Sequence, residues 1–258
     1  MVNVHERLNE LLDVIHEADA AIMQVYELQN AVVEMKSDNT PVTQADIAAH
    51  NIIMAGIARL FPGIPVLSEE GDAQLNKEIV KSERFWLVDP LDGTREFLER
   101  SGHFTVCAAL IEDDVPSFGV VSAPALGVTY YGGTSMGSFR KDTGSDSETP
   151  IHVSSSRLGV VVGSRMFLNE PTRDYITEHY PGSEILSVGS QLKLPKVAEG
   201  AADAYPRIDG PLHLWDLAAG HAILEGAGGS VRRPDGSAVD YHAASLLVGD
   251  FVAEAAPR

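Results

Sequence analysis

Trp86-Leu87-Val88-Asp89-Pro90-Leu91-Asp92-Gly93-Thr94-Arg95-Glu96-Phe97 carries an apolar run straight into two carboxylates three residues apart. Two such charges at 4 Å repel by roughly 4 kcal/mol at an effective dielectric near 20. A folded chain that keeps both ionised needs a cation between them, and a hard divalent metal suits oxygen ligands. Pro90 fixes its own φ and pushes Asp89 towards extended backbone, while Gly93 allows a turn. Both acids are therefore expected to face one point just past the end of a strand.

Acids fall at element boundaries on either side of this stretch as well. Pro65-Val66-Leu67-Ser68 reads as a short buried strand that ends in Glu69-Glu70. Asp216 follows Trp215 at the start of a helix expected from about Trp215 to Ala227, where a carboxylate also favours the helix dipole. Thr43 with Asp46 three residues on has the pattern of a capping box and opens a helix that runs to Leu60. Before it, Leu8, Leu11, Leu12, Ile15, Ala18, Ile22 and Tyr26 recur at helical spacing, which describes an amphipathic helix rather than a signal peptide. A polar loop, Lys36 to Pro41, joins the two helices.

Phe104 to Tyr131 is β-rich, with turns at Asp113-Asp114 and Ala123-Pro124. Lys141 to Pro150 is polar and lacks periodicity, so a domain boundary is expected there. The expected division is an α+β metal-binding and catalytic domain over 1–145 and an α/β domain over 146–258 that completes the site. In the second, strands at Val160-Val161-Val162, Ala204-Tyr205 and near Leu246 alternate with helices around Pro171 to Tyr180 and Leu192 to Glu199.

The 258 residues are 44% hydrophobic and 22% charged, an ordinary globular balance, but the net charge is -18. That sign argues against coating nucleic acid or an anionic membrane. A phosphate substrate would need metal ions to supply the positive field. Cys107, the one cysteine, excludes an intrachain disulfide and reads as a small buried hydrophobe in a reducing compartment. No apolar stretch approaches the roughly 20 residues of a membrane span, so a cytoplasmic protein is expected. Gly133-Thr134-Ser135-Met136-Gly137 matches a nucleophile-elbow pattern, yet no helix follows it. Gly226, Gly228 and Gly229 follow a helix and read as its C-terminus. His213 and His221 read as helix-surface or core residues.

Glu69-Glu70, Asp89-Pro90-Leu91-Asp92-Gly93-Thr94 and Trp215-Asp216-Leu217-Ala218-Ala219-Gly220, in that order, resemble the metal-site signature of the inositol monophosphatase superfamily of Mg2+-dependent, lithium-sensitive phosphatases. The resemblance implies a sugar-phosphatase fold of alternating α/β/α/β/α layers. It also implies two or three Mg2+ ions on Glu69, Asp89, Asp92, Asp216 and the carbonyl of Leu91. Asp46 matches the family acid that works with the threonine of Asp-Gly-Thr, here Thr94. Thr94, oriented by Asp46, and Glu69 or Glu70 are then placed to take a proton from the attacking water. The amides of Gly93 and Thr94, if they open a helix, would cradle phosphate oxygens.

Thr94-Arg95-Glu96-Phe97, Val188-Gly189-Ser190-Gln191-Leu192-Lys193, Val197-Ala198-Glu199-Gly200 and Tyr205-Pro206-Arg207 are similar to the CysQ-type 3'(2'),5'-bisphosphate nucleotidases. That branch converts adenosine 3',5'-bisphosphate to AMP and phosphate, a step of sulfur metabolism. Lys193 and Arg207 are the natural partners of the second phosphate. Gly189, beside Ser190, would allow the backbone close to the ligand. Val162-Gly163-Ser164-Arg165-Met166-Phe167 departs from the branch: Ser164 and Arg165 match its nucleotide-contacting segment, but Met166 and Phe167 replace Ser-His, and Phe167 is expected in the core, with stacking on a base as the alternative. An inositol or sugar phosphate phosphatase and a non-enzymatic metal-binding regulator stay open as alternatives, as does a homodimer.

Overall fold

The computed structural model describes residues 4–28, 33–35, 41–145 and 147–255, with the backbone alone for 33–35 and 41–42. Leu11, Ile15, Ala18 and Ile22 share one buried face of helix α1 (Leu8–Leu28), which packs against α2 (Gln44–Leu60) through Ala49, Ile53 and Ile57. The expected capping box opens α2: Thr43 and Asp46 exchange hydrogen bonds around the helix start. Strands β1 (Val33–Met35) and β2 (Pro41–Thr43) pair antiparallel between the helices. The expected polar loop lies outside the described residues except for Pro41.

A seven-stranded sheet comes next. Its strands are β3 (Val66–Ser68), β4 (Arg84–Asp92), β5 (Thr105–Glu112), β6 (Val115–Ala123), β7 (Val128–Gly133), β8 (Gly137–Asp142) and β9 (Thr149–Ile151), lying in sequence order with only β3 parallel to its neighbour. Helix α3 (Ala73–Ile79) links β3 to β4, and α4 (Thr94–Leu98) follows β4. Alternation fixes the two faces. Trp86, Val88, Val106 and Val120 point to α1 and α2, whereas Phe85, Leu87, Cys107, Val121 and Tyr130 point the other way.

That second face meets α6 (Lys193–Ala198) and α7 (Ala218–Gly226), which are covered in turn by a five-stranded sheet. The smaller sheet contains β10 (Val160–Ser164), β11 (Glu184–Val188), β12 (Ala204–Arg207), β13 (Ser230–Arg232) and β14 (Phe251–Glu254), ordered β11-β10-β12-β14-β13. Helix α5 (Glu170–His179) closes its outer face through Ile176 against Val161 and Ala204. The layers run α/β/α/β/α.

Two expectations change. Lys141 to Pro150 is the β8–β9 hairpin, in which Arg140 pairs with Thr149. The chain therefore leaves the first sheet after Ile151, and a break at 145/146 falls inside a hairpin; polar turn residues imitate a linker in sequence. The strand near Leu246 is an isolated bridge from Leu247 to His213, because Leu246 takes φ of 60° and cannot continue extended backbone. A third stands: Gly133 to Gly137 turns β7 into β8, with no helix behind Ser135.

Candidate metal and substrate site

Strand β4 runs on through Pro90 to Asp92, so Asp89 sits inside the strand rather than past its end. Its pairing with β5 shifts between Asp89 and Asp92. Pro90 falls in that irregularity, where its missing N–H costs no ladder bond. The side chain of Asp89 accepts from the Leu91 amide at 3.0 Å. On one side, parallel β3 ends level with Val88, and the Glu69 amide donates to the Val88 carbonyl at 3.0 Å. Three carboxylates converge as a result: oxygens of Glu69, Asp89 and Asp216 all lie within 4.8 Å of one another.

Asp89 is 1% exposed. Burial, then Glu69, Asp92, Asp216 and Asp46, holds its carboxyl far above the usual carboxylate range. Asp92 is pushed up to about 7 by burial and Asp216, against the opposing pull of Lys193 and the donors on its oxygens. Acids that cannot all ionise together in isolation become a good ligand set once a divalent cation replaces their protons. The donor set is all oxygen, which fits Mg2+ better than a soft metal.

Asp92 is held from two directions. Oδ2 accepts from the Gln191 amide at 2.5 Å and from Thr105 Oγ1 at 3.2 Å, while the Ser190 hydroxyl donates to the Asp92 carbonyl at 2.8 Å. Gly93 is required here twice over: its φ is 89°, and a Cβ would come within 2.1 Å of Ser190 Oγ. Gln191, 1% exposed, also donates from Nε2 to the Trp215 carbonyl at 2.7 Å and accepts at Oε1 from the Gly220 amide at 3.0 Å. One residue thus ties the Asp92 loop, through its backbone amide, to the segment that carries Asp216, through its side chain. Gln191 belongs to a quoted motif but was given no role; an amide between two charged motifs carries no local signal of its partners. Asp216 itself accepts from the His213 amide at 2.8 Å, and the His213 ring stacks on Trp215 beside it.

The residues beside the acids supply hydrogen-bonding groups. Asp46, 2% exposed, accepts at Oδ2 from the Thr43 amide at 2.8 Å and hydroxyl at 2.6 Å, and at Oδ1 from Thr94 Oγ1 at 3.4 Å. Its carboxyl is raised by burial, opposed by the Thr43 donors, and pushed further by Glu70. Glu70 also acts on His50, whose Nδ1 lies 2.9 Å from Ser68 Oγ. Thr94 opens α4 directly after Gly93.

Of the expected substrate residues, Ser190 and Lys193 lie nearest these acids, through Asp92. Lys193 is buried beneath Ser190, to whose carbonyl its ammonium donates, and lies 5.5 Å from the Tyr205 ring centre. Burial lowers its pKa against the upward pull of Asp92, while neighbouring Arg207 lowers it further. Arg207 is 7% exposed and donates to the carbonyls of Phe167 at 3.1 Å and Pro211 at 3.5 Å, with Nε unpartnered. Ser164 Oγ accepts from the Phe167 amide at 3.1 Å. Arg165 is ion-paired with buried Glu96 and, at 3.5 Å, with Glu99. The space left by Gly189 is filled by protein, since a Cβ would meet Glu96 Oε1 at 2.7 Å and His103 Cβ at 2.8 Å. Phe167 is not a core residue: it is 51% exposed, with the Arg95 guanidinium 5.4 Å from its ring centre.

The sequence pattern of the inositol monophosphatase family matches residues 3–257. The chain belongs to the inositol monophosphatase family. It is 43% identical over 235 residues to 3'(2'),5'-bisphosphate nucleotidase CysQ of Salmonella typhimurium, covering 91% of this chain and 93% of that protein. The CysQ of Escherichia coli K12 is 42% identical over 236 residues at the same coverage. In three dimensions the chain superposes on CysQ from Bacteroides thetaiotaomicron, described as a bacterial member of the inositol monophosphatase family, with a TM-score of 0.83, 32% identity and coverage of 99% and 100%. An inositol monophosphatase of Thermotoga maritima follows at a TM-score of 0.78, 26% identity and coverage of 97% and 92%. The five-layer architecture is thus that of the inositol monophosphatase family.

Proposed function

We propose that this chain removes the 3'(2')-phosphate of adenosine 3'(2'),5'-bisphosphate, giving AMP and inorganic phosphate. The observation that carries this reading within the family is the buried cation pair Lys193 and Arg207 beside the acidic cluster. Two cations out of water repel each other as the acids do, and among the described residues no carboxylate forms an ion pair with Arg207. A second, non-reacting phosphate satisfies both with charge-assisted hydrogen bonds. Relatives above 40% identity bear the name of a bisphosphate nucleotidase, which supports the same assignment.

In this proposal Glu69, Asp89, Asp92, Asp216 and the carbonyl of Leu91 hold Mg2+, which when bound acidifies water and neutralises charge on the transferring phosphoryl group. Thr94 Oγ1 takes a proton from the attacking water and passes its own to Asp46 Oδ1. The water oxygen bonds to phosphorus, the bond from phosphorus to the ribose oxygen breaks, and solvent protonates the departing oxygen. Burial makes Asp46 a stronger base than a free carboxylate, which suits that task. Thr43 holds it in place from the opposite side, so the acceptor needs no reorganisation. Glu70, beside Asp46, offers a second acceptor on that side of the site.

The test is phosphate release from adenosine 3',5'-bisphosphate with Mg2+ and with EDTA, with the nucleoside product identified. Mg2+-dependent formation of AMP supports the proposal. Release from inositol 1-phosphate alone would transfer the site to the inositol phosphatase alternative. Binding of Mg2+ with no turnover of either compound would leave the non-enzymatic regulator.

A further inference from the structure

A cavity of about 360 Å³ opens on the face of the seven-stranded sheet that carries α1, away from the acidic cluster. The register separates the two. Asp89 shares a rung with Cys107, Val121 and Tyr130, which face α6 and α7. The next rung, Val106-Ser122-Thr129-Lys141, presents its side chains to the opposite face. His16, Asp19 and Met23 of α1 close over this rung, with Pro124 and the end of β8 at the rim. The volume lies in the range of small-ligand pockets.

The polar groups in this otherwise apolar layer are organised. Ser122 Oγ donates to Asp19 Oδ2 at 2.6 Å, so the Thr129 hydroxyl, 2.9 Å away, must donate to Ser122. His16 Nε2, 3.3 Å from Thr129 Oγ1, then carries a proton and donates in turn. With Asp19 ionised, every proton along the row runs towards it. Asp19 is 8% exposed, and its Oδ1 has no partner. A buried acceptor left in this state is costly and calls for a donor. At the other end, Lys141 stands two strands from Ser122, about 10 Å at the usual strand spacing, while Asp142 is turned to Arg140 at 2.9 Å. A simple cation would meet Lys141, and a simple anion would meet Asp19.

We propose that this cavity is a second ligand site that takes a short zwitterion, with its ammonium against Asp19, its carboxylate against Lys141 and its small apolar stem against Met23. It is independent of the hydrolytic site and does not rest on the reading given to that site.

The probe is 5-aminopentanoate, titrated at pH 8, where Asp19 is ionised, into the isotope-labelled full chain and followed by amide chemical shifts. Saturable shifts at Ala20, Met23, Thr129 and Gly144 are expected, with n-butylammonium and pentanoate each binding at least tenfold more weakly. Asp19→Asn should reduce the affinity to that of pentanoate, and Lys141→Ala to that of n-butylammonium. Equal affinity for all three compounds, no saturation, or indifference to both substitutions would overturn the proposal. Should Asp19→Asn fail to fold, Met23→Trp fills the cavity instead. It should abolish the shifts while phosphate release continues, and undiminished binding to that variant counts against the site.

Discussion

Lys193→Met removes one of the two cations proposed for the second phosphate while keeping much of the buried stem. The ammonium lies near Arg207 and donates to the Ser190 carbonyl, and in the proposed function it also meets the second phosphate. The phosphate contact is worth a charge-assisted hydrogen bond, about 1.5 to 3 kcal/mol, or roughly a 10- to 150-fold loss in kcat/KM for adenosine 3',5'-bisphosphate. Losing the Ser190 contact loosens the loop whose Gln191 amide holds Asp92, and that loss is common to every substrate. Adenosine 3'-monophosphate isolates the common part, since it keeps the base and the scissile phosphate but lacks the 5'-phosphate. The assay is therefore phosphate release from both compounds by wild type and variant, read as the ratio of their kcat/KM values. A fall in that ratio of about tenfold or more is expected. If both substrates lose the same factor, Lys193 supports the loop alone and does not meet the second phosphate.

Asp89→Asn should lower Mg2+-dependent turnover by at least about 100-fold, yet raise the Tm of the metal-free protein, because it removes a buried acid crowded by Glu69, Asp92 and Asp216; calorimetry with EDTA and an activity assay check the two effects. Gln191→Leu strands the Trp215 carbonyl and the Gly220 amide, at about 1 to 3 kcal/mol for each buried group; a denaturant midpoint unchanged from wild type would refute the bridging role. Burial lifts Asp19 to about 7, so the folded chain keeps a proton that the unfolded chain releases near pH 4. The contribution of Asp19 to stability therefore falls with rising pH between about 4 and 7, by about 4 kcal/mol at 1.4 kcal/mol per pH unit. Asp19→Asn should lose this share of the slope, gaining on wild type as pH rises, and parallel profiles from urea unfolding would contradict it.

The acids that converge were legible because each stands beside a local signal. Asp89 precedes a proline, Glu69 directly follows a short buried strand and Asp216 stands just before a helix; nearby, Asp92 precedes a glycine at φ of 89° and Asp46 lies three residues after a threonine cap. The helices and most strands could be read from periodicity for the same reason. What escaped depends on distant partners. Gln191 is defined by Asp92, 99 residues away, and by Trp215 and Gly220. Phe167 looks like any core aromatic until the fold places it at the surface next to Arg95. Strands β13 and β14 are short and pair only with elements remote in sequence or with each other, and the β8–β9 turn has the composition of a linker.

The central claim is that this member of the inositol monophosphatase family acts on a bisphosphate nucleotide. The direct measurement is kcat/KM for adenosine 3',5'-bisphosphate and for inositol 1-phosphate, taken side by side on the same enzyme at the same Mg2+ concentration. In the proposed function Lys193 and Arg207 meet a second phosphate that inositol 1-phosphate lacks, so the nucleotide should be preferred by at least about tenfold, the worth of one charge-assisted hydrogen bond. Equal values, or a preference for inositol 1-phosphate, would contradict the account.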